Sequence, residues 1–166
     1  ITARARRISE PVIRCREDSG EDVCRDVSDL LNYNKPQSRC ALLKAVVVCL
    51  KIVDLSGEGP GVSSAPSLAD QLVQSLSSGL EIECSVSLPM GSGLGTSSIL
   101  AGALMQAVAT ACGRPLNQDS ITHGVLAVEQ LLSSGGGWQD QVGGILPGQR
   151  LQGPRASSPC GSSCSS

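Results

Sequence analysis

The first eight residues, I-T-A-R-A-R-R-I, alternate apolar and polar positions and predict a strand. Residues 11–16 read the same way. Only Ser9 and Glu10 lie between, so the two strands are expected to pair as a hairpin. Residues 17–29 are polar and acidic and read as a loop with room for a short helix. Residues 36–54 predict a long helix, with Pro36 suited to its first turn and Gly57 following as a stop. Within it, residues 40–53 are apolar except for Lys44 and Lys51, which share one narrow face, so the helix should be buried on most sides. After a Gly- and Pro-rich loop, residues 67–78 form an amphipathic helix with Leu68, Leu72, Val73 and Leu76 on one face and Gly79 ending it. Residues 80–88, L-E-I-E-C-S-V-S-L, alternate strictly, which turns Leu80, Ile82, Cys84, Val86 and Leu88 to one side of a strand.

Residues 97–112 are nearly all apolar and predict a core helix, stopped by Gly113 and Pro115. Residues 117–132 predict another, with Asn117 as N-cap and Ile121, Val125, Val128 and Leu132 as its inward stripe. The last 16 residues, 151–166, carry no periodicity and read as a disordered tail. Three strands and four or five helices result: an α+β fold with its core on residues 40–53 and 97–112, and a strand order that the pattern leaves open.

Composition narrows the picture. Phe is absent and aromatic residues make up 1% of the chain, so Leu, Val, Ile and Ala must fill the core. The net charge is −2 and no basic run interleaves with aromatics, which argues against nucleic acid or a membrane surface as partner. Arg4, Arg6, Arg7, Arg14 and Arg16 are assigned to solvated faces. The helix at 36–54 is too short and too charged to span a membrane. The eight cysteines include no C-x-x-C pair, and they are read as reduced thiols in the cytoplasm. A zinc site is disfavoured because His123 is the only histidine. No apolar stretch follows the N-terminal arginines as in a signal peptide, and the chain reads as starting partway through a domain.

The chemistry concentrates between the strand at 80–88 and the helix at 97–112. There Gly91, Gly93 and Gly95 precede Thr96, Ser97 and Ser98. Glycines allow a sharp turn and close approach of backbone to ligand, and the free N–H groups of a helix start attract anions, phosphate above all. The same turn also serves as plain strand-to-helix geometry. It is not a Walker A loop, since no G-K-[ST] closes it, nor a dinucleotide fingerprint, since Thr96 stands where the third glycine belongs. The protein-kinase motifs are missing as well. Glu129 lies on the inward stripe of its helix, where a carboxylate needs a partner. A metal and a structural partner such as Lys44 or a backbone amide are both open. Asp140, a lone carboxylate in a Gly-rich segment 11 residues after Glu129, reads by itself as a turn residue or helix N-cap. His123 falls off the stripe and is assigned to the surface.

The run P-x-x-x-G-L-G-T-S-S, Pro89 to Ser98, resembles the phosphate loop of the GHMP kinases (galacto-, homoserine, mevalonate and phosphomevalonate kinases). L-P-M-G-S-G-L-G-T-S-S-I-L-A-G-A-L and L-S-S-G-G-G-W-Q-D-Q-V-G-G-I-L-P-G bring it nearest to the branch that phosphorylates L-fucose. The resemblance implies a GHMP-kinase N-terminal domain over residues 1–150, a mostly antiparallel sheet backed by helices of the ribosomal S5 domain 2 type. It implies ATP and Mg²⁺ as cofactors and small molecules, ATP and L-fucose, as partners. Pro89, Gly91, Ser92, Gly93, Leu94, Gly95, Thr96, Ser97 and Ser98 would bind the phosphates, and Ser97 and Glu129 the metal. Asp140 would be the base, with Trp138 and Gln139 near the sugar. Family members also carry an earlier motif, R-V-D-x-S-G-G-W-x-D-T-P-P, and a second half after the segment ending at Gly148. This chain holds neither, and its tail departs from the family. A remnant without activity, a nucleotide-binding module, and a kinase for a related heptose or galactose stay open as alternatives.

Overall fold

A computed structural model describes residues 1–35, 38–55, 66–87 and 95–132. In chain order the elements are β1 (Thr2–Ile8), β2 (Ile13–Glu17), β3 (Gly20–Cys24), α1 (Val27–Leu31) with a 3-10 turn (Asn32–Asn34), α2 (Ala41–Cys49), α3 (Leu68–Leu76), β4 (Gly79–Ser85), α4 (Thr96–Ala111) and α5 (Gln118–Leu131). The sheet order is β1-β4-β2-β3. β4 runs antiparallel to β1 and parallel to β2, while β2 and β3 form the hairpin. The fold is thus α+β, with a mixed sheet backed by helices.

Two expectations fail here. β1 and β2 do not pair with each other, because β4 lies between them, with Ala5 opposite Ile82 and Cys15 opposite Ile82 on its other side. A strand rich in apolar side chains is better buried in the middle of a sheet than at its edge, and local alternation carries no information about which strand comes next to it. The stretch at 17–29 supplies a strand, β3, where a loop was expected, while the short helix it allowed is α1. Its acidic residues serve them: Asp29 accepts from the backbone N–H groups of Arg25 (2.9 Å) and Asp26 (3.1 Å) at the start of α1.

The alternation itself holds. Ile13, Cys15, Leu80, Ile82 and Cys84 are buried beneath the helices, with Ala3 and Ala5 packed against them. The charged positions of the same strands form rows across the other face, Arg4–Glu83–Arg16–Glu21 and Arg6–Glu81–Arg14. Glu81 is itself buried, 2.5 Å from Arg6 Nη2 and 2.8 Å from its Nε, so these arginines shield a carboxylate as well as meeting solvent. Arg7 does more than face water. Its Nε donates to Ala111 O (2.8 Å) and its Nη1 to Leu76 O (3.3 Å), capping the C-terminal ends of α4 and α3.

α2 is shorter than residues 36–54. It begins after Cys40, which takes a left-handed backbone (φ 53°) and donates its thiol to Cys15 O at 3.5 Å. It ends before Lys51, also left-handed at φ 49°. The two lysines therefore do not share a helix face. Lys51 is exposed, whereas Lys44 is buried with Nζ 2.6 Å from Asp22 Oδ2. In α3 Leu68, Leu72 and Leu76 are buried, but Val73 is exposed. Gln71 takes the inner place, holding Asp54 N (2.7 Å), Asp54 O (3.2 Å) and Pro66 O (3.1 Å). Ser77, left-handed at φ 55°, closes α3, and Gly79 opens β4.

α4 packs across β1 and β4, α5 packs on α4, and α2 fits against both. Leu43, Val46, Val47, Leu104, Met105, Val108, Val125 and Val128 join there with the sheet's buried side in one core. Each such aliphatic side chain removed from water contributes about 1.5–3 kcal/mol. The described cysteines pack into or against the core: Cys15, Cys24, Cys40, Cys84 and Cys112 are buried, Cys49 is half-buried, and these six are free thiols. Among the described residues no helix is long and apolar enough to cross a membrane, and no cluster of His, Cys, Asp and Glu is arranged to hold a metal by itself.

Candidate functional site

α4 and α5 build the site. Gly95 is the N-cap of α4 with φ 64°, a left-handed conformation that a residue with Cβ adopts only at a cost. α3 and α5 start on side-chain caps, Ser67 accepting from Asp70 N and Asn117 from Ser120 N. α4 starts without a side-chain cap, and no acidic residue stands in its first turn. Among the described residues, no side chain is shown capping its leading N–H groups, and they lie at the positive end of its dipole.

The first turn carries three hydroxyls with different surroundings. Ser97 is exposed. Thr96 Oγ1 is buried without a hydrogen-bond partner among the described residues. Ser98 is buried and donates to Glu129 Oε1 at 2.5 Å, across 31 positions of sequence. Glu129 is 6% exposed and lies beside Val125 and Val128 on the buried side of α5, as the stripe requires. His123 is exposed, as expected.

So the structure brings Glu129 to the start of α4 and gives it Ser98. Lys44, the structural partner considered for Glu129, is engaged by Asp22 instead. Ser98 could have been singled out from sequence: with Ala101, Met105 and Val108 it forms a buried stripe at helical spacing, and a buried serine needs a partner. Pro89, Gly91, Ser92, Gly93, Leu94, Trp138, Gln139 and Asp140 lie outside the described residues, as does the tail at 151–166. A groove of about 760 Å³ lies elsewhere, between β1 and α4, lined in part by Arg4, Arg6, Glu83, Gln106 and Thr110.

A carboxylate, hydroxyls and uncapped N–H groups at one helix start suit a phosphate together with a hard cation. Mg²⁺ takes oxygen donors, uses few from the protein and keeps water in its other positions. The orphaned Thr96 hydroxyl and the buried carboxylate fit that chemistry: both are oxygen groups held out of bulk water and close to the anion-attracting end of α4.

A helix-backed mixed sheet whose fourth strand leads into such a helix start defines a class. Residues 63–148, more than half of the chain, match the family model "GHMP kinases N terminal domain". The chain belongs to the GHMP kinases, a family of phosphotransferases, through that domain. It is 37% identical over 142 residues to an L-fucokinase/L-fucose-1-P guanylyltransferase of Bacteroides fragilis, covering 84% of this chain and 14% of that protein. It is 47% identical over 72 residues to a bifunctional fucokinase/GDP-fucose pyrophosphorylase of Arabidopsis thaliana, covering 43% of this chain and 7% of that protein. The chain thus spans about a seventh of the first relative and less than a tenth of the second. Its fold is similar to that of the Methanococcus jannaschii mevalonate kinase, with a TM-score of 0.60 at 14% identity over 84% of this chain and 39% of that one. A second mevalonate kinase structure gives a TM-score of 0.56 at 15% identity, over 84% and 40% of the two chains.

Proposed function

We propose that the chain is the nucleotide-binding portion of a sugar kinase that transfers the γ-phosphoryl group of ATP to the anomeric hydroxyl of L-fucose. The observation that carries this reading is the meeting of Glu129 with the first turn of α4. Backbone N–H groups from Gly91 to Ser98 cradle the phosphates. Ser97 and Glu129 hold Mg²⁺, which when bound neutralises phosphate charge. Asp140 accepts the proton of the sugar hydroxyl as that oxygen attacks the γ-phosphorus and the bond to the β-phosphate oxygen breaks, releasing ADP and fucose 1-phosphate. Trp138 and Gln139 stand beside the sugar. Residues 1–150 form the domain, residues 151–166 are a tail outside it, and the free thiols accord with the cytoplasm. Phosphoryl transfer depends mainly on positioning and charge stabilisation, which a fixed helix start provides.

Two measurements test this reading. Titration calorimetry should detect ATP binding to the chain with Mg²⁺ and markedly weaker binding with EDTA. In a full-length homologue, asparagine at the position of Asp140 should lower L-fucose turnover by ~10²–10⁴-fold while ATP binding persists. Turnover within a few-fold of the parent removes Asp140 from the base role. A second reading, nucleotide binding without turnover, is supported by the described site itself, whose donors suit a metal and a phosphate. Comparing galactose and heptoses with L-fucose tests the choice of sugar.

A further inference from the structure

We propose that the side-chain hydroxyl of Ser98 positions Glu129 and is not itself a ligand of phosphate or metal, whatever its backbone N–H does; this rests on reading Glu129 as the cation-binding carboxylate. Ser97 and Ser98 are adjacent hydroxyls on the first turn of one helix, but their surroundings divide them. Successive helix residues point about 100° apart. Ser97 is exposed, whereas Ser98 is 3% exposed on the stripe that faces α5. A serine hydroxyl has one hydrogen, and Ser98 gives it to Glu129 Oε1 at 2.5 Å.

The consequence is preorganisation. Glu129 has three side-chain torsions and sits in the last turn of α5, which closes at Leu131. A buried donor anchored to α4 holds one carboxylate oxygen, so the carboxylate is oriented before a nucleotide arrives. The same bond ties α5 to the helix start that receives the phosphates. A metal-binding group is tuned in this way by the partner behind it, and loss of such a partner weakens metal affinity by ~10–100-fold.

The test compares the parent chain with Ser98→Thr and Ser98→Val. These two variants add the same bulk to a buried position and differ in the hydroxyl. ATP is titrated calorimetrically across a Mg²⁺ series and again in EDTA, with circular dichroism to confirm folding. Ser98→Thr should bind Mg²⁺–ATP within a few-fold of the parent. Ser98→Val should bind it ~10–100-fold more weakly, with its half-saturating Mg²⁺ concentration raised and its ATP affinity in EDTA unchanged. Ser98→Ala should reproduce the loss without added bulk. Equal Mg²⁺–ATP affinity for Thr and Val variants that are both folded overturns the inference. An equal loss with and without Mg²⁺ also overturns it, by making Ser98 a phosphate contact. A parent chain that binds no Mg²⁺–ATP overturns the proposed function and this inference with it, whereas the first two results leave the function standing.

Discussion

Gly79→Ala would test the sheet order, because Gly79 is where β4 enters between β1 and β2. A Cβ at this position would lie 1.9 Å from Glu10 O, 2.6 Å from Val12 O and 2.9 Å from Val12 N. All three are backbone atoms of the connection between β1 and β2, and none has a side-chain torsion with which to move away. Restoring the closest contact to 3.0 Å means shifting the two strands apart by about 1 Å. That connection is held by Leu80 N–H donating to Val12 O (2.9 Å) and Val12 N–H donating to Glu10 O (2.8 Å). Such a shift takes the first bond well beyond hydrogen-bonding distance, at a cost of about 1–3 kcal/mol for the groups left unpaired. Overpacking adds about 1–3 kcal/mol, and the stiffer unfolded chain returns about 0.4–1 kcal/mol. The net loss should be about 3 kcal/mol. In a chain of this size that lowers Tm by about 10 °C, since each kcal/mol moves it about 2–4 °C.

The assay is urea denaturation followed by circular dichroism, with Gly124→Ala as the internal comparison. At Gly124 the added Cβ would meet Met105 Cε at 2.1 Å and Sδ at 2.8 Å, the flexible end of an unbranched side chain. Gly124 is also inside α5, where alanine gains about 1 kcal/mol in helix propensity. Gly124→Ala should therefore stay within about 1 kcal/mol of the parent. A Gly79→Ala protein as stable as Gly124→Ala would refute the placement of β4 against the β1–β2 connection.

Other consequences follow from buried charges and thiols. Asp22→Asn strips the counter-charge from the buried Lys44 ammonium and should cost about 2–4 kcal/mol, whereas Lys44→Met should fall within about 1 kcal/mol of the parent; a larger loss for Lys44→Met in urea denaturation would reverse the argument. Burial, with help from nearby carboxylates, pushes the Cys40 thiol up to about 12 and the Cys84 thiol up to about 11. The folded chain therefore keeps protons that the unfolded chain releases near pH 9. Their contribution is complete below pH 9 and is lost as pH rises toward 11–12, at about 1.4 kcal/mol per pH unit for each thiol. Cys24, lowered by its hydrogen bond to Cys15, works in the opposite direction. Cys84→Ala should flatten the fall of the urea midpoint between pH 9 and 11, and an unchanged slope would count against the burial of that thiol. Glu129→Gln keeps an acceptor for Ser98 and removes the charge, so calorimetry should show Mg²⁺-dependent ATP binding weakened while folding is retained.

The sequence by itself determined what depends on neighbours along the chain. The alternation of residues 80–88 put Leu80, Ile82 and Cys84 into the core. Asn117 capped α5 by bonding the N–H of Ser120 three residues on, and the stripe of α5 turned Glu129 inward. The start of α4 behind Gly95 was legible for the same reason, since a glycine cap and the helix it opens are written in consecutive residues. Tertiary structure decided everything that depends on distant partners. It placed β4 between two strands that local pattern joined as a hairpin, and it cut α2 short at left-handed Cys40 and Lys51. It gave Lys44 to Asp22 and Ser98 to Glu129. Periodicity tells which way a side chain points but not what another element brings to meet it, and the crossing of α4 with α5 is what sets a serine against a carboxylate 31 residues away.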